Sequence, residues 1–241
     1  MGFKTTGTVG ILGGMGPEAT SLFFQRIVQY TPANSDQEHL KIIIYNDPKI
    51  PDRTEAIVNN GVSPIEKARE GLLFLERSNV DLIAIPCVTI HYFFDELVKF
   101  INTPILNIVQ ETASYIKETY PDIKRVGILA TTGTIKGYIF QKIFHPQDLE
   151  IIMPGDNGQK ILMESIYGRN GIKAGITVGH PKQQIITVAQ DLVRNGAEII
   201  VGGCTEIPIL LGQVDLQVPF MDTLVILAQA VIRKVGLVPR Q

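Results

Sequence analysis

A tetrapeptide and a cysteine recur at one interval in this chain. Val9-Gly10-Ile11-Leu12 returns 117 positions later as Val126-Gly127-Ile128-Leu129, and the same 117 positions separate Cys87 from Cys204, the only two cysteines among 241 residues. The apolar runs before the cysteines, 81–85 and 198–201, nearly align at that offset, and Thr103-Pro104-Ile105-Leu106 roughly matches Gln217-Val218-Pro219-Phe220. A short apolar match alone is weak. Two independent landmarks sharing one offset indicate a duplicated half. Duplication sets the cysteines at equivalent positions in two facing units, each with a threonine close behind, Thr89 and Thr205.

Apolar runs alternate with helical patterns along the chain. Strands are expected at 8–12, 40–45, 82–85, 105–106, 124–130 and 198–201. Each is a continuous apolar run rather than a period-two pattern, which points to parallel sheet covered on both faces. Pro17 suits the first position of a helix whose Ala19, Phe23, Ile27 and Tyr30 recur at helical spacing. Ser63-Pro64-Ile65-Glu66 reads as a capping box for a helix burying Ile65, Ala68, Leu72 and Leu75. Further helices are expected at 91–101, 109–119, 135–144 and 183–195. Asp222 is expected to cap a last helix with Leu224, Leu227, Ala228, Val231 and Val235 on one face. Residues 46–54, with two prolines, and 151–158 read as loops. The glycine-rich stretch 168–175 is either a cover or a surface loop. The expected class is α/β, with two similar, pseudo-symmetric domains. Each would hold a mainly parallel sheet flanked by helices. The expected domains are 1–106 and 107–220, with the last helix, 221–241, packing back on the first. In such sheets ligands bind beyond the carboxyl ends of the strands. Gly13–Gly16, 47–54, Cys87, 131–134 and Cys204 all fall at those ends.

A net charge of −2, with Lys and Arg scattered, gives no electrostatic case for nucleic acid or an anionic membrane. No apolar run approaches the roughly 18 residues of a membrane span. Met1-Gly2-Phe3-Lys4-Thr5-Thr6 lacks the apolar core of a signal peptide, so a cytoplasmic protein is expected. Two cysteines in such a chain do not suit a structural disulfide, and four scattered histidines offer no zinc pattern. Buried cysteines are often just small hydrophobes, and it is their matched context that argues for chemistry. A thiol is an acid and a thiolate a base. Two thiols facing each other across a small substrate can remove a proton from one side of a carbon and return one from the other, inverting the centre.

The sequence resembles the cofactor-independent aspartate/glutamate racemases, the aspartate branch in particular. The resemblance runs over essentially the whole chain. It rests on Gly13-Gly14-Met15-Gly16-Pro17-Glu18-Ala19-Thr20, on Ile50-Pro51-Asp52-Arg53-Thr54, on Pro86-Cys87 with Thr89 and His91, and on Gly203-Cys204-Thr205-Glu206. It implies two similar α/β domains with the active site between them and one catalytic cysteine from each, Cys87 and Cys204. Cys204 would work on the L face and Cys87 on the D face. Arg53 matches the arginine that binds substrate carboxylate, a task its bidentate fork suits. Lys173 lies where relatives have a second basic residue. Thr89, Thr132 and Thr205 have hydroxyls to donate, and the expected substrate-binding set also takes in Met15, Thr131, Thr134 and Glu206. The implied reaction interconverts L- and D-aspartate without pyridoxal phosphate or metal. The implied partner is the small amino-acid substrate, and the implied assembly a homodimer.

This chain departs from the pattern at two positions. Val88 stands where relatives carry Asn, which removes an amide from the site but no acid or base. Glu206 stands where glutamate racemases carry His, which favours the aspartate branch. Beside Cys204 this carboxylate would disfavour a thiolate. It would hold either the substrate ammonium or a threonine. His91 would either tune Cys87 or pack its helix. Gly14-Met15-Gly16-Pro17-Glu18-Ala19 also satisfies a dinucleotide-binding pattern, but the acidic residue needed after the second strand would be Asp47, inside a proline-rich loop. Related decarboxylases and isomerases that use one cysteine, glutamate or broad-specificity racemases, and a non-enzymatic binding module are the remaining alternatives.

Overall fold

The computed structural model describes residues 7–240; the N-terminal hexapeptide discussed above and Gln241 lie outside the described residues. Eight strands form two sheets among them. β1 (Thr8–Gly13), β2 (Lys41–Asn46), β3 (Leu82–Ala84) and β4 (Ile105–Leu106) make the first, in the order β2-β1-β3-β4. β5 (Arg125–Leu129), β6 (Glu150–Ile152), β7 (Ile199–Gly202) and β8 (Phe220–Asp222) make the second, in the order β6-β5-β7-β8. Every pairing is parallel. The central strands are buried along almost their whole length, while β2 and β6, at the edges, are not. That accounts for the continuous apolar runs.

The duplication extends to individual contacts. Val9 pairs with Leu82 in the first sheet and Val126 with Ile199 in the second. A Cβ on Gly10 would meet Val80, Ile83 and Leu75, and one on Gly127 would meet Ala197, Ile200 and Leu192. Each of those neighbours has its counterpart 117 positions away. The helices that press on these glycines match too. Ile65–Arg77 buries Ala68, Gly71, Leu72 and Leu75, and His180–Arg194 buries Ile185, Val188, Ala189 and Leu192 at the same offset. Helices Ile108–Thr119 and Thr223–Lys234 are both capped by the residue before them. Asn107 accepts from the N–H groups of Val109 and Gln110, and Asp222 from those of Leu224 and Val225. Such a cap is worth about 1 kcal/mol. The last helix packs against Pro17–Tyr30 and Ile108–Thr119. It buries Ile226, Ala230 and Ile232 besides the expected face, so it is an interior helix and not an amphipathic one. Among the described residues no helix is long and apolar enough to cross a membrane.

Several local expectations need correction. The loop at 46–54 ends early: Arg53 opens a helix, Arg53–Val58, whose amide at Glu55 donates to Asp52. Residues 151–158 are not one loop. They hold most of β6 and the start of helix Asp156–Tyr167. The expected helix at 135–144 is broken into Thr132–Lys136 and Gln141–Phe144, because Tyr138 adopts φ 54, outside the helical region. The one at 91–101 shrinks to a 3₁₀ turn, Thr89–Phe93, and a single α-turn, Phe94–Leu97. Beyond it Glu76 takes the N–H groups of Asn102 and Thr103. No capping box forms at Ser63: Glu66 pairs with Arg69 instead.

The two halves meet beyond the carboxyl ends of the strands. Helix Arg53–Val58 lies against Thr132–Lys136, so closely that a Cβ on Gly133 would stand 2.8 Å from the Thr54 Cα. Close by, Thr89 of the first half reaches the Thr131 and Thr134 hydroxyls of the second, at 3.2 and 2.9 Å.

Candidate active site

Cys87 follows β3 and Cys204 follows β7. A small cavity has both on its wall, with Met15, Arg53, Thr89, Thr131, Lys173, Thr205 and Glu206. Val88 and Tyr167 complete the lining. The cysteines are 4% and 5% exposed. An outer cleft of about 1010 Å³ shares Arg53, Lys173 and Glu206 with this cavity and lies between Gly14–Glu18, Pro48–Arg53 and Ile172–Gly175. The glycine-rich stretch is therefore one wall of the approach. A larger recess of about 1100 Å³ lies elsewhere, beside Tyr30, Tyr115 and Tyr120. It holds no cysteine, and its cations are already paired, Arg26 with Asp222 at 3.7 Å and Lys182 with Asp215 at 2.9 Å. Both cysteines line the smaller cavity.

Two threonines named from the sequence stand apart from the cavity wall. Thr132 turns away: its hydroxyl accepts from Gln159 at 3.2 Å and its N–H points to the Met163 sulfur. Thr134 lies behind the wall, bonded to Thr89 and Thr131. Its service is to hold those two hydroxyls.

Arg53 is fixed by backbone carbonyls. Nη1 donates to Ile50 and Pro51 at 3.3 and 3.1 Å, and Nη2 donates to Met15 at 3.1 Å. Nε is buried without a protein partner. With five donors on a guanidinium, Nε–H and one Nη2–H remain for a ligand. Burial works against the charge, but Cys87, Asp52, Tyr167 and Glu206 outweigh it and raise the arginine's pKa.

Glu206, 2% exposed, organises the other wall. Its Oε2 accepts from Cys204 Sγ at 3.0 Å and from Thr205 Oγ1 at 3.4 Å. Its Oε1 accepts from Lys173 Nζ at 2.8 Å. Burial pushes the Cys204 thiol well above its ordinary range, and the Glu206 carboxylate pushes the same way. Burial opposes the charge on Lys173, but Glu206 overcomes it and raises that pKa.

His91 has a structural role. Its Nδ1 lies 2.8 Å from the Cys87 carbonyl and its Nε2 accepts the Ile108 N–H at 3.4 Å, so backbone uses both ring nitrogens of a neutral imidazole. Burial pushes its pKa down to about 4. The unfolded chain, with histidine near 6.5, binds a proton through the interval that the folded chain refuses. Stability therefore rises with pH across this window and is lost as pH falls from 6.5 toward 4, by about 3 kcal/mol from this residue. Urea unfolding of wild type and His91→Leu at pH 7 and pH 4.5 measures it. Equal pH slopes in the two proteins would refute the assignment.

Tyr167 went unrecognised from the sequence. It ends helix Asp156–Tyr167, and its phenol donates to Asp52 Oδ2 at 3.0 Å, across the two halves. Lys173 Nζ stands 5.3 Å from its ring centroid. Tyr167 is 37% exposed and lines the cavity. Burial, then Asp52, raise the phenol pKa. The available signal was Ile161, Leu162, Ser165 and Ile166 at helical spacing after Pro154 and Gly155.

Residues 12–231 match the family model for Asp/Glu/hydantoin racemases. A broad-specificity amino-acid racemase of Bacillus subtilis (strain 168) is 29% identical over 229 residues, covering 93% of this chain and 96% of the relative. The solved aspartate racemase of Picrophilus torridus is 32% identical with a TM-score of 0.85, covering 97% of this chain and 95% of that one. A glutamate racemase of Francisella tularensis, solved with D-glutamate, shares the fold at a TM-score of 0.71 and 17% identity, over 96% of this chain and 81% of that one. From its doubled parallel sheets to the span of these matches, the chain belongs to the Asp/Glu/hydantoin racemase family, and with it to the isomerases.

Proposed function

We propose that the protein interconverts L- and D-aspartate by proton transfer at Cα between Cys87 and Cys204, without pyridoxal phosphate or metal. The observation that carries this reading is the shared cavity: two buried cysteines on one wall system, with two free Arg53 donors beside them. Arg53 takes the α-carboxylate. Its charge lowers the cost of the carbanion that forms as Cα loses its proton, the hard step of this reaction. One cysteine, as thiolate, removes that proton. The other, as thiol, returns one from the opposite side, and the two exchange protonation states with each turnover. Cys204 rests as the thiol, since burial and Glu206 both oppose its ionisation. Thr89, Thr131 and Thr205 offer hydroxyls to the substrate's polar groups.

Incubation of purified protein with L-aspartate in D2O, followed by proton NMR and chiral analysis, tests the reading. Loss of the Cα proton together with D-aspartate is the expected result. Exchange without inversion would mean that only one thiol works on aspartate. No exchange with any amino acid would defeat the racemase proposal.

Tyr167 touches no reacting atom in this scheme and acts through Asp52, which caps the Arg53 helix. Tyr167→Phe is expected to raise KM for aspartate roughly three- to tenfold with a smaller change in kcat, as loss of one solvent-accessible charged hydrogen bond implies. Steady-state kinetics decide it, and unchanged KM and kcat would remove Tyr167 from the site's machinery.

A further inference from the structure

Helix Arg53–Val58 of the first half and helix Thr132–Lys136 of the second pack together beside the cavity. Each starts at its wall, one with Arg53 and the other with its cap, Thr131. They meet at Gly133. A Cβ there would lie 2.7 Å from Thr54 Oγ1, 2.8 Å from its Cα and 3.1 Å from its Cβ, where ordinary contact begins at 3.4 Å. The closest carbon is backbone, so no rotamer change makes room. Neither Gly133 nor Thr54 is part of the cavity wall.

Both helices are tied to their own halves. Arg53 is held by the carbonyls of Met15, Ile50 and Pro51. The other helix follows β5 directly, and its Thr134 N–H donates to Thr131 Oγ1 at 3.3 Å. A wedge between them therefore moves the halves rather than slipping one helix. The Thr134 hydroxyl acts in the opposite sense. It lies 2.9 Å from Thr89 Oγ1 across the seam and 3.1 Å from Thr131 Oγ1, which itself stands 3.2 Å from Thr89. Glycine lets the halves come close, and the hydroxyls hold them there. Both cysteines are joined to this seam. Cys87 lies two positions before Thr89, and the Cys204 N–H donates at 3.0 Å to the carbonyl of Leu129, two positions before Thr131.

We propose that Gly133 and Thr134 are positioning residues that set the distance across which Cys87 and Cys204 act on one carbon. This rests on the two-thiol reading above. Inversion needs both thiols within reach of the same Cα, and a misplacement of about 1 Å can cost about 10²-fold.

Gly133→Ala adds the wedge. Thr134→Val removes the hydroxyl at nearly constant shape, and Thr134→Ser keeps it. With L-aspartate in D2O, the readout is the rate of inversion against the rate at which deuterium enters L-aspartate with its configuration retained. Gly133→Ala should lower inversion by about 10²-fold and retained exchange by less than about tenfold, because the thiol that removes the proton still reaches Cα. Thr134→Val should shift the ratio the same way, and Thr134→Ser should return it toward the wild-type value. Partial unfolding lowers both rates together and leaves their ratio alone. Crystal structures of wild type and Gly133→Ala read the separation of Cys87 and Cys204 without turnover, and it should be wider in the variant. Thr134→Val gives both readouts should Gly133→Ala fail to fold. An unchanged separation, or an unmoved ratio of inversion to exchange in a folded variant, overturns the proposal. A wider separation with no racemisation by wild type would sink the two-thiol reading and leave the spacing assignment standing. Racemisation by wild type with an unchanged separation would do the reverse.

Discussion

Cys87→Ser and Cys204→Ser are each expected to lower racemisation by about 10³-fold or more. General acid–base groups contribute roughly 10²–10⁴-fold, and the proposed reaction would use one on each side of the same carbon. A serine hydroxyl is nearly the size of a thiol but a far weaker acid, so the wall keeps its shape while the proton relay loses a member. The substitution is mild at Cys204, where a hydroxyl can still donate to Glu206 as the thiol does. The two variants should differ in what they retain. Each keeps one working thiol and can still exchange the Cα proton for deuterium from one enantiomer, without inverting it. The measurement is therefore paired: D2O exchange and chiral product, starting separately from L- and D-aspartate. Racemisation at the wild-type rate in either variant would end the two-thiol mechanism. Loss of exchange from both enantiomers in one variant would mean that its cysteine also holds the substrate in place.

Arg53→Leu is expected to cost kcat/KM about 10²–10³-fold, in line with losing preorganised donors to a developing negative charge. It should also destabilise the fold. The guanidinium satisfies the carbonyls of Met15, Ile50 and Pro51, and a buried carbonyl left unmet costs roughly 1–3 kcal/mol. Arg53→Lys separates the two effects. It restores a charge, but a single ammonium does not reproduce the planar fork that spans three carbonyls and still offers two donors. The lysine variant should recover part of the lost melting temperature and little of the lost kcat/KM. Full activity in Arg53→Leu would show that the α-carboxylate is bound elsewhere.

Much of the scaffold was legible because its determinants are local. β1, β3, β5 and β7 are short apolar runs, and Asp222 precedes a run of good helix formers, so neighbours in sequence carry the signal. The repeat made the rest readable. A shared offset between Val9 and Val126 and between Cys87 and Cys204 is enough to put both cysteines at equivalent strand ends, and the contacts of Gly10 and Gly127 repeat at the same spacing. Errors fell where local signals compete. Asp156, Asn157 and Gly158 look like a turn, yet they form the first turn of a helix, where amides need no partner within the helix. Tyr138 interrupts a helix that its apolar spacing favoured.

By itself, the sequence determined the α/β class, the doubled parallel sheets, the two strand ends that carry the cysteines, and, through resemblance, the racemase family. Tertiary structure alone decided what each polar group on the wall does. Tyr167 reaches Asp52 over 115 positions, Lys173 reaches Glu206 over 33, and His91 spends both nitrogens on backbone. Thr132 turns from the cavity, and Thr134 backs it from behind. The physical reason is range. Apolar periodicity is written along a few residues of one segment, whereas the partner of a buried charge or hydroxyl is set by how two separately folded halves are laid against each other, and no stretch of either half carries that arrangement.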